Sequence, residues 1–350
     1  RPRLGRTRRG DLPRLAFPNA RVSLDAARLQ PGDSLLSYID SRQELPADYL
    51  ESIGLAGRAD RQPGSAGELE QQLMSCLADE AEGLMHAMPP ETRGIIKQWM
   101  RRFEFINLKS LIRCKLTNCN LDLSREYLLD IGHFARLPLD EYLHSEDIVE
   151  FLRLLSAQDA SLARKIRMHV EDPEQLFLLE AAMDYHFYEG LLASCEPLSA
   201  EERNGTRRFI GRIIDAINLA WLLRYRIAYG IHPPHTFFML ARTGLSLGPG
   251  RLAQLARLDD FEAMRAALPA EHRDALEGVN SVADAEMRMR ETNLAYARRL
   301  LRHEQFHLVR ALAYLYLRER QLQEVHQLLK GKLLGFEPTL IREALVGAEA

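Results

Sequence analysis

A nine-residue pattern that occurs twice constrains the fold of this chain more than any other feature. Phe105–Arg113 matches Ala216–Arg224 at an offset of 111 residues, with Asn-Leu at the third and fourth positions and Arg at the ninth. An acid precedes each block, Glu104 in the first and Asp215 in the second. Repetition at a fixed period indicates structural units that stack to complete a core. The sequence therefore predicts two copies of a unit of about 110 residues, much longer than common helical repeats.

The Asn and Arg of each block are predicted to contact different neighbours. Each block lies at the end of a predicted long helix, and six residues at about 100° each set the two side chains about 120° apart. A buried Asn or Arg needs hydrogen-bond partners. We therefore expect Asn107 and Arg113, and likewise Asn218 and Arg224, to be structural positions that cross-link helices within each unit. A direct contact with a partner protein is the alternative.

The composition and the hydrophobic spacing favour an all-α fold. Leu and Ala are far more frequent than Val and Ile, and unbranched side chains lose little rotamer freedom in a helix. Leu69, Leu73 and Leu77 follow the helical i, i+4 spacing, and no convincing strand pair is present. Helices are predicted over residues 68–88, 92–116, 144–157, 162–170, 173–193 and 199–229.

A weaker echo of the block follows the second copy. Asn293-Leu294 and Arg299 repeat the six-residue spacing, which indicates either a third copy of the unit or a coincidence. Together with Pro- and Gly-rich breaks, the pattern predicts five segments. They are a basic flexible lead-in (1–17), N-terminal helices that pack with the C-terminal segment (18–65), a first helical repeat unit (66–175), a second helical repeat unit (176–285), and a C-terminal helical segment that completes a third domain (286–350).

Charge, hydropathy and cysteine usage exclude several classes of function. The net charge is −3, which gives no overall attraction to nucleic acid. No apolar run approaches the roughly 18 residues that a membrane-spanning helix needs. The four cysteines form no CxxC pair, so we expect reduced thiols and a cytoplasmic protein. The Gly-rich stretch from Gly244 to Gly250 lacks the Lys-Ser/Thr of a phosphate-binding loop, so no nucleotide and no other cofactor is predicted.

One short string supports a competing enzymatic hypothesis. His303-Glu304-Gln305-Phe306-His307 has the HExxH form, in which two histidines on one helical face bind zinc and the Glu activates water. Glu319 and Glu324 are the candidate third ligands. A zinc-dependent hydrolase on a helical scaffold is therefore an alternative function, although no sheet edge is predicted that could hold a peptide substrate.

Four stretches, taken in order, resemble one known family. They are Glu104–Arg113, Asp215–Arg224, the acidic helix Leu179–Tyr188, and a C-terminal run made of Ala313–Glu319, Gly331-Lys332 and Ile341–Glu343. Their order and spacing are similar to those of one family of V-type (vacuolar/archaeal-type) ATPases and ATP synthases, whose members are the C subunits of archaea and bacteria and the d subunits of eukaryotes. The resemblance covers residues 18–345.

The resemblance implies a fold, a role and a set of partners. The fold would be a funnel of three similar helical domains in a pseudo-three-fold arrangement. The role would be that of a non-catalytic central-stalk subunit that couples the rotor shaft of the soluble sector to the membrane rotor ring of ion-carrying helices. The protein would support proton or sodium transport from the cytoplasmic face of the membrane, without binding metal or cofactor. A generic helical interaction scaffold is a further alternative.

Overall fold

The fold is all-α, as predicted. The computed structural model describes residues 12–30, 33–40, 45–55, 65–117, 128–167, 176–303 and 307–347. Within these ranges the regular secondary structure is α-helix, short 3-10 turns and one π-helical segment, and no β-strand is present. Residues 1–11 of the predicted lead-in, residues 168–170 of the helix predicted over 162–170, and Cys119 lie outside the described residues.

Ten helices precede the helix of the second repeat block in the described part of the chain. They are α1 (Leu12–Ala26), α2 (Asp33–Leu36), α3 (Ala47–Ser52), α4 (Ala66–Ala87), α5 (Arg93–Met100), α6 (Arg102–Thr117), α7 (Leu139–His144), α8 (Ile148–Gln158), α9 (Ala160–Arg167) and α10 (Leu176–Ala193). Ser65 caps α4 by accepting a hydrogen bond from Glu68 N, as helix N-termini require.

The remaining helices begin with the one that carries the second repeat block. They are α11 (Ala200–Leu222), which continues as the π-helix Leu223–Ala228, then α12 (Pro233–Met239), α13 (Pro249–Leu255), α14 (Phe261–Ala267), α15 (Ala270–Ala275), α16 (Val282–His303), α17 (Leu308–Leu333) and α18 (Pro338–Gly347). The helix predicted as far as Tyr229 is present to Ala228, and its last six residues, which include Arg224, form the π-helix.

Most predicted helices are present, but one is interrupted and one begins later than predicted. The helix predicted over 92–116 divides at Arg101 into α5 and α6. The helix predicted over 144–157 begins only at Ile148, because Asp147 caps α8 by accepting hydrogen bonds from Val149 N and Glu150 N. The first three residues of the helix predicted over 173–193 lie outside the described residues.

The chain divides into two compact units. The first comprises Arg1–Ile96, Pro197–Thr206 and Leu294–Ala348, and the second comprises Lys97–Glu196, Arg207–Asn293 and Glu349–Ala350. These units gather segments that are distant in the sequence, so they do not correspond to the sequence repeats. The repeat boundaries at residues 66, 176 and 286 therefore stay a prediction.

Helix α17 is the centre of the first unit. It packs against α1, α2, α4 and α18, and its buried side chains lie on most of its sides. Helices α17 and α18 approach closely where Gly331 meets Ile341, since a Cβ on Gly331 would lie 2.7 Å from Ile341 Cγ1. Such an all-round buried helix is typical of a core element.

The second unit is built around α6, α10 and the π-helical end of α11. Helix α6 packs on α7, α8 and α10, while α10 also contacts α9 and α12. The apolar core of the second unit includes six fully buried side chains, Leu219, Leu222, Leu240, Leu252, Leu255 and Met264. Within the described residues, no helix combines the length and the apolar character that crossing a bilayer requires.

The cysteines differ in part from the sequence prediction. Cys76 and Cys195 are buried free thiols. Cys114 is disulfide-bonded, so the expectation of four reduced thiols is wrong at this position.

Candidate functional site

The Asn of each repeat block holds a loop to the helix that carries the block. Asn107 Nδ2 donates to Leu129 O at 2.7 Å, and Asn107 Oδ1 accepts from Leu129 N at 2.8 Å. Asn218 makes the same pair of bonds to Ala241 O and Ala241 N, at 2.7 and 2.8 Å. Both amides are buried, so each one satisfies a backbone donor and acceptor that water cannot reach. We call these two contacts the Asn clamps.

The acid of each block holds the next part of the same loop. Glu104 Oε1 accepts from Arg136 N and from Leu137 N, the latter at 2.7 Å. Asp215 accepts from Ser246 N at 2.7 Å and from Leu247 N at 3.2 Å. Both carboxylates are buried. The acid and the Asn of each block therefore bind the same loop, the one that follows the block helix, and together they fix its backbone position.

The second loop also brings a histidine to the acid. Ser246 Oγ lies 2.8 Å from Asp215 Oδ2 and 2.7 Å from His272 Nε2, while His272 Nε2 is 3.7 Å from Asp215 Oδ2. The serine lies between the acid and the histidine, so the acid does not orient the imidazole as it does in a nucleophilic triad. This cluster is therefore a loop anchor.

Gly244 is required by the close approach of this loop to Asp215. A Cβ at position 244 would overlap Asp215 Oδ1 and lie 3.2 Å from Leu247 O. We expect Gly244→Ala to lower the free energy of unfolding by about 1–3 kcal/mol, because a buried acid or the loop must shift. Urea denaturation followed by circular dichroism measures this. Gly248→Ala is the matched control, because nothing lies within 4 Å of its Cβ position. Equal stability of the two variants would contradict the prediction.

The Arg of each block forms an ion pair with the helix that precedes the next block. Arg113 in α6 makes a bidentate contact with Glu180 in α10, at 2.5 and 2.7 Å. Arg224 in the π-helix contacts both carboxylate oxygens of Glu286 in α16, at 2.8 and 2.7 Å. The hydrogen bond to Glu180 raises the pKa of Arg113. Asn and Arg thus reach different neighbours in both blocks.

A third, fully buried Arg–Glu pair follows the same scheme. Arg318 in α17 donates to both oxygens of Glu80 in α4, at 3.0 and 2.9 Å, and also to Ile53 O and Gln321 Oε1. Tyr314 OH donates to Glu80 Oε2 at 2.6 Å. Burial is the main cause that raises the pKa of Tyr314 well above its usual range. Each of the three nitrogens of this Arg side chain therefore donates to at least one acceptor.

The three pairs form a directional series. The Arg of the first block binds α10, the Arg of the second block binds α16, and Arg318 binds α4, the helix that precedes the first block. Arg299, the candidate from the weaker echo, instead places its guanidinium over the Tyr296 ring at 5.0 Å. By its contacts, α17 is therefore the third counterpart, and Arg318 is the residue that sequence reasoning missed.

The HExxH string does not lie on one continuous helix, as the predicted zinc site requires. His303 is the last residue of α16, whereas His307 is extended (φ −116°, ψ 143°) and precedes α17. The two histidines therefore do not share one helical face, because His307 is extended and not helical. Instead, His307 Nδ1 lies 3.4 Å from Glu202 Oε1. Glu304–Phe306 lie outside the described residues, and no group of potential metal ligands occurs among those described.

Comparison with known proteins decides the family. The sequence model of the family described as ATP synthase (C/AC39) subunit matches residues 48–344. The chain belongs to this family. The matched range includes both repeat blocks, the Arg318–Glu80 pair and the HExxH string. Membership makes the chain a structural subunit of an ATP synthase complex of the V/A type, all-α and not itself an enzyme.

Similar proteins cover most of the chain. The C subunit of the A-type ATP synthase of Methanocaldococcus jannaschii is 23% identical over 353 residues, covering 96% of this chain and 87% of the relative. Its counterpart in Thermococcus kodakarensis is 23% identical and covers 94% and 89%, and that of Methanosarcina acetivorans is 24% identical and covers 81% and 78%. Family membership also favours a component of an ATP synthase over a generic helical scaffold.

Proposed function

We propose that this member of the ATP synthase (C/AC39) subunit family couples the rotor shaft of the central stalk to the membrane rotor ring. It would do so without catalysis, on the cytoplasmic face of the membrane, and would support proton or sodium transport by the complex. The relatives are named as C subunits of A-type ATP synthases, which supports a place in such a machine.

The observation that carries this proposal is the series of three Arg–Glu pairs. Each pair links a block helix, or its counterpart α17, to the first helix of another predicted repeat unit, in the order α6 to α10, π-helix to α16 and α17 to α4. A cyclic order of this kind fits three similar helical domains with pseudo-three-fold symmetry, as in a funnel. The domains would be the units predicted over 66–175 and 176–285 and a third completed by 286–350 with residues 18–65.

The clamps support a mechanical role. A coupling element must transmit torque, so its loops have to move with its helices. In both repeats the loop after the block is held by four to five hydrogen bonds from two buried side chains. Closely packed interiors with satisfied polar groups deform little under load. Asn107, Asn218, Arg113 and Arg224 are therefore proposed as stiffening positions and not as contact residues for a partner.

Co-purification from native membranes tests the coupling role. A tagged copy of the chain is expressed in its own organism, the membranes are solubilised in mild detergent, and the bound proteins are identified by mass spectrometry. We expect the central-stalk proteins and the ring protein to be recovered together with the chain. Recovery of neither, or recovery of one without the other under conditions that keep the complex active, would overturn the proposal.

A further inference from the structure

The block helix of the second repeat ends as a π-helix, whereas that of the first repeat ends as a regular α-helix. The π-helix spans Leu223–Ala228, and Tyr229 N donates across its last turn to Arg224 O at 2.9 Å. The equivalent residues of the first repeat, 112–117, are α-helical to the end of α6. π-Helices are rare and occur mostly as single wide turns within α-helices. Two helices that carry the same block therefore differ only in their last turns.

The chain between the two ends of the Asn clamp is one residue longer in the second repeat. Asn107 binds a residue 22 positions downstream, and Asn218 binds one 23 positions downstream. A π-turn closes its hydrogen bond over five residues, whereas an α-turn closes it over four. One π-turn therefore accommodates one residue more than the α-turn that it replaces, which matches the difference between the two repeats.

The contacts made by the block helix ends do not require π geometry. The Arg of the block pairs with an acid of a later helix in both repeats. Two residues after that Arg, both repeats carry a second cation that holds a backbone carbonyl. Lys115 Nζ donates to Leu143 O at 2.9 Å, and Arg226 Nε donates to Leu258 O at 3.1 Å. Because α6 makes both kinds of contact as an α-helix, the π-helix is not explained by the partners of its side chains.

We infer that the π-helix holds a one-residue insertion and makes the end of α11 a compliant joint, which opens more readily than the end of α6. A π-turn is wider than an α-turn, so its backbone atoms lose van der Waals contact across the helix axis. Helices also change direction most readily at such turns. Water reaches this segment, because the residues from Ala228 to Gly230 are exposed. Few close contacts and solvent access both favour local opening.

The joint lies between an exposed contact and a buried one. The ion pair with Glu286 attaches α16 to the π-helix through Arg224, whose side chain is 46% exposed. The clamp of Asn218 lies six residues earlier and is buried. A displacement of α16 therefore reaches the π-helix before it reaches the clamp, and the π-helix can absorb it. This inference concerns the isolated chain and does not depend on the coupling function.

Hydrogen exchange of the purified full-length chain, followed by mass spectrometry, tests the joint. Relative to their rates in unfolded peptides, we expect the backbone amides of residues 223–229 to exchange at least about tenfold faster than those of 112–117. Deletion of Ala228 restores the 22-residue interval of the first repeat. We expect it to slow exchange over 223–227 to the level of 112–117, and to leave the urea midpoint unchanged or higher. Both results follow if an α-turn replaces the π-turn.

Deletion of Thr117 is the matched control. Thr117 and Ala228 are both exposed, both end their helix, and both lie ten residues after the Asn of the block. The first repeat has no spare residue, so deletion of Thr117 is expected to lower the urea midpoint. Equal protection of the two helix ends in the wild-type chain, which needs no variant, would overturn the joint. A deletion of Ala228 that lowers the midpoint as much as that of Thr117, fails to fold, or leaves exchange fast would overturn the insertion.

Discussion

Arg318→Ala is expected to lower the free energy of unfolding by about 3–5 kcal/mol, the largest effect of any single replacement considered for this chain. The guanidinium is fully buried and is shared among Glu80, Gln321 and Ile53 O. Without it, the Glu80 carboxylate keeps Tyr314 and Cys76 as hydrogen-bond donors, and its remaining cation is the partly exposed Arg28, whose Nη1 is 3.8 Å from Glu80 Oε1. Urea denaturation monitored by circular dichroism measures the loss.

The repeat supplies the control for this experiment. Arg224 makes the same bidentate contact with Glu286, but 46% of its side chain is exposed. The freed Glu286 keeps only 14% of its side chain exposed, so water compensates it in part, and Arg224→Ala should cost about 1–2 kcal/mol, less than Arg318→Ala. The double replacement Glu80→Gln with Arg318→Met should recover much of the loss, because no unpaired charge is left buried. Similar costs for Arg318→Ala and Arg224→Ala would contradict this account.

Asn218→Leu is expected to cost about 2–5 kcal/mol, since it leaves both the N–H and the C=O of Ala241 unsatisfied in a buried site. Leu resembles Asn in size, so the loss reports the two hydrogen bonds at 2.7 and 2.8 Å more than a cavity. Thermal and urea unfolding of the purified chain give the value. Asn107→Leu, its twin in the first repeat, should lose the same amount to within about 1 kcal/mol. A cost below about 1 kcal/mol in both variants would mean that the clamps do not stiffen the loops.

Local sequence patterns predicted the helices well and their partners poorly. The spacing of Leu69, Leu73 and Leu77 predicted α4 to within two residues, and the separation of Asn218 from Arg224 predicted that they face different neighbours. That the Asn partner would be a backbone group 22 or 23 residues downstream did not follow from the pattern. Every residue has a backbone C=O, and every residue except proline has a backbone N–H. The sequence therefore does not indicate which residue is the partner of the Asn.

The third Arg–Glu pair was missed for a related reason. The α17 counterpart carries Val309, Leu312 and Ala313 where the other blocks carry an acid, Asn and Leu, so only the Arg of the pattern remained to find it. Asn293 with Arg299 had the better local match, but within the described residues Arg299 contacts the Tyr296 ring of its own helix and not an acid of a preceding one. Spacing without a partner is a weak predictor, because an ion pair depends on two segments that are far apart in the chain.

The continuous helix that the HExxH interpretation requires is absent, because His307 is extended. Its flanks, Leu300-Leu301 and Leu308-Val309, fit a continuous amphipathic helix by local pattern alone. In the structure Glu202 accepts from Leu308 N at 2.7 Å, and Arg310 Nε donates to Leu301 O at 3.0 Å. These contacts satisfy the backbone groups that the helix ends expose. Glu202 lies more than a hundred residues upstream of Leu308, so a local sequence pattern cannot predict this tertiary contact.

The closing pair between α4 and α17 has a consequence for biosynthesis. Glu80 and Arg318 are 238 residues apart, so α4 leaves the ribosome long before the helix that covers it. At about 5–20 residues per second, that interval is roughly 12–50 s. During it, the apolar face of α4 and its buried carboxylate are without their partner, whereas Lys97–Glu196 can already pack. Loss of α17 and α18 would thus leave α4, which is synthesised early, exposed to chaperones and proteases.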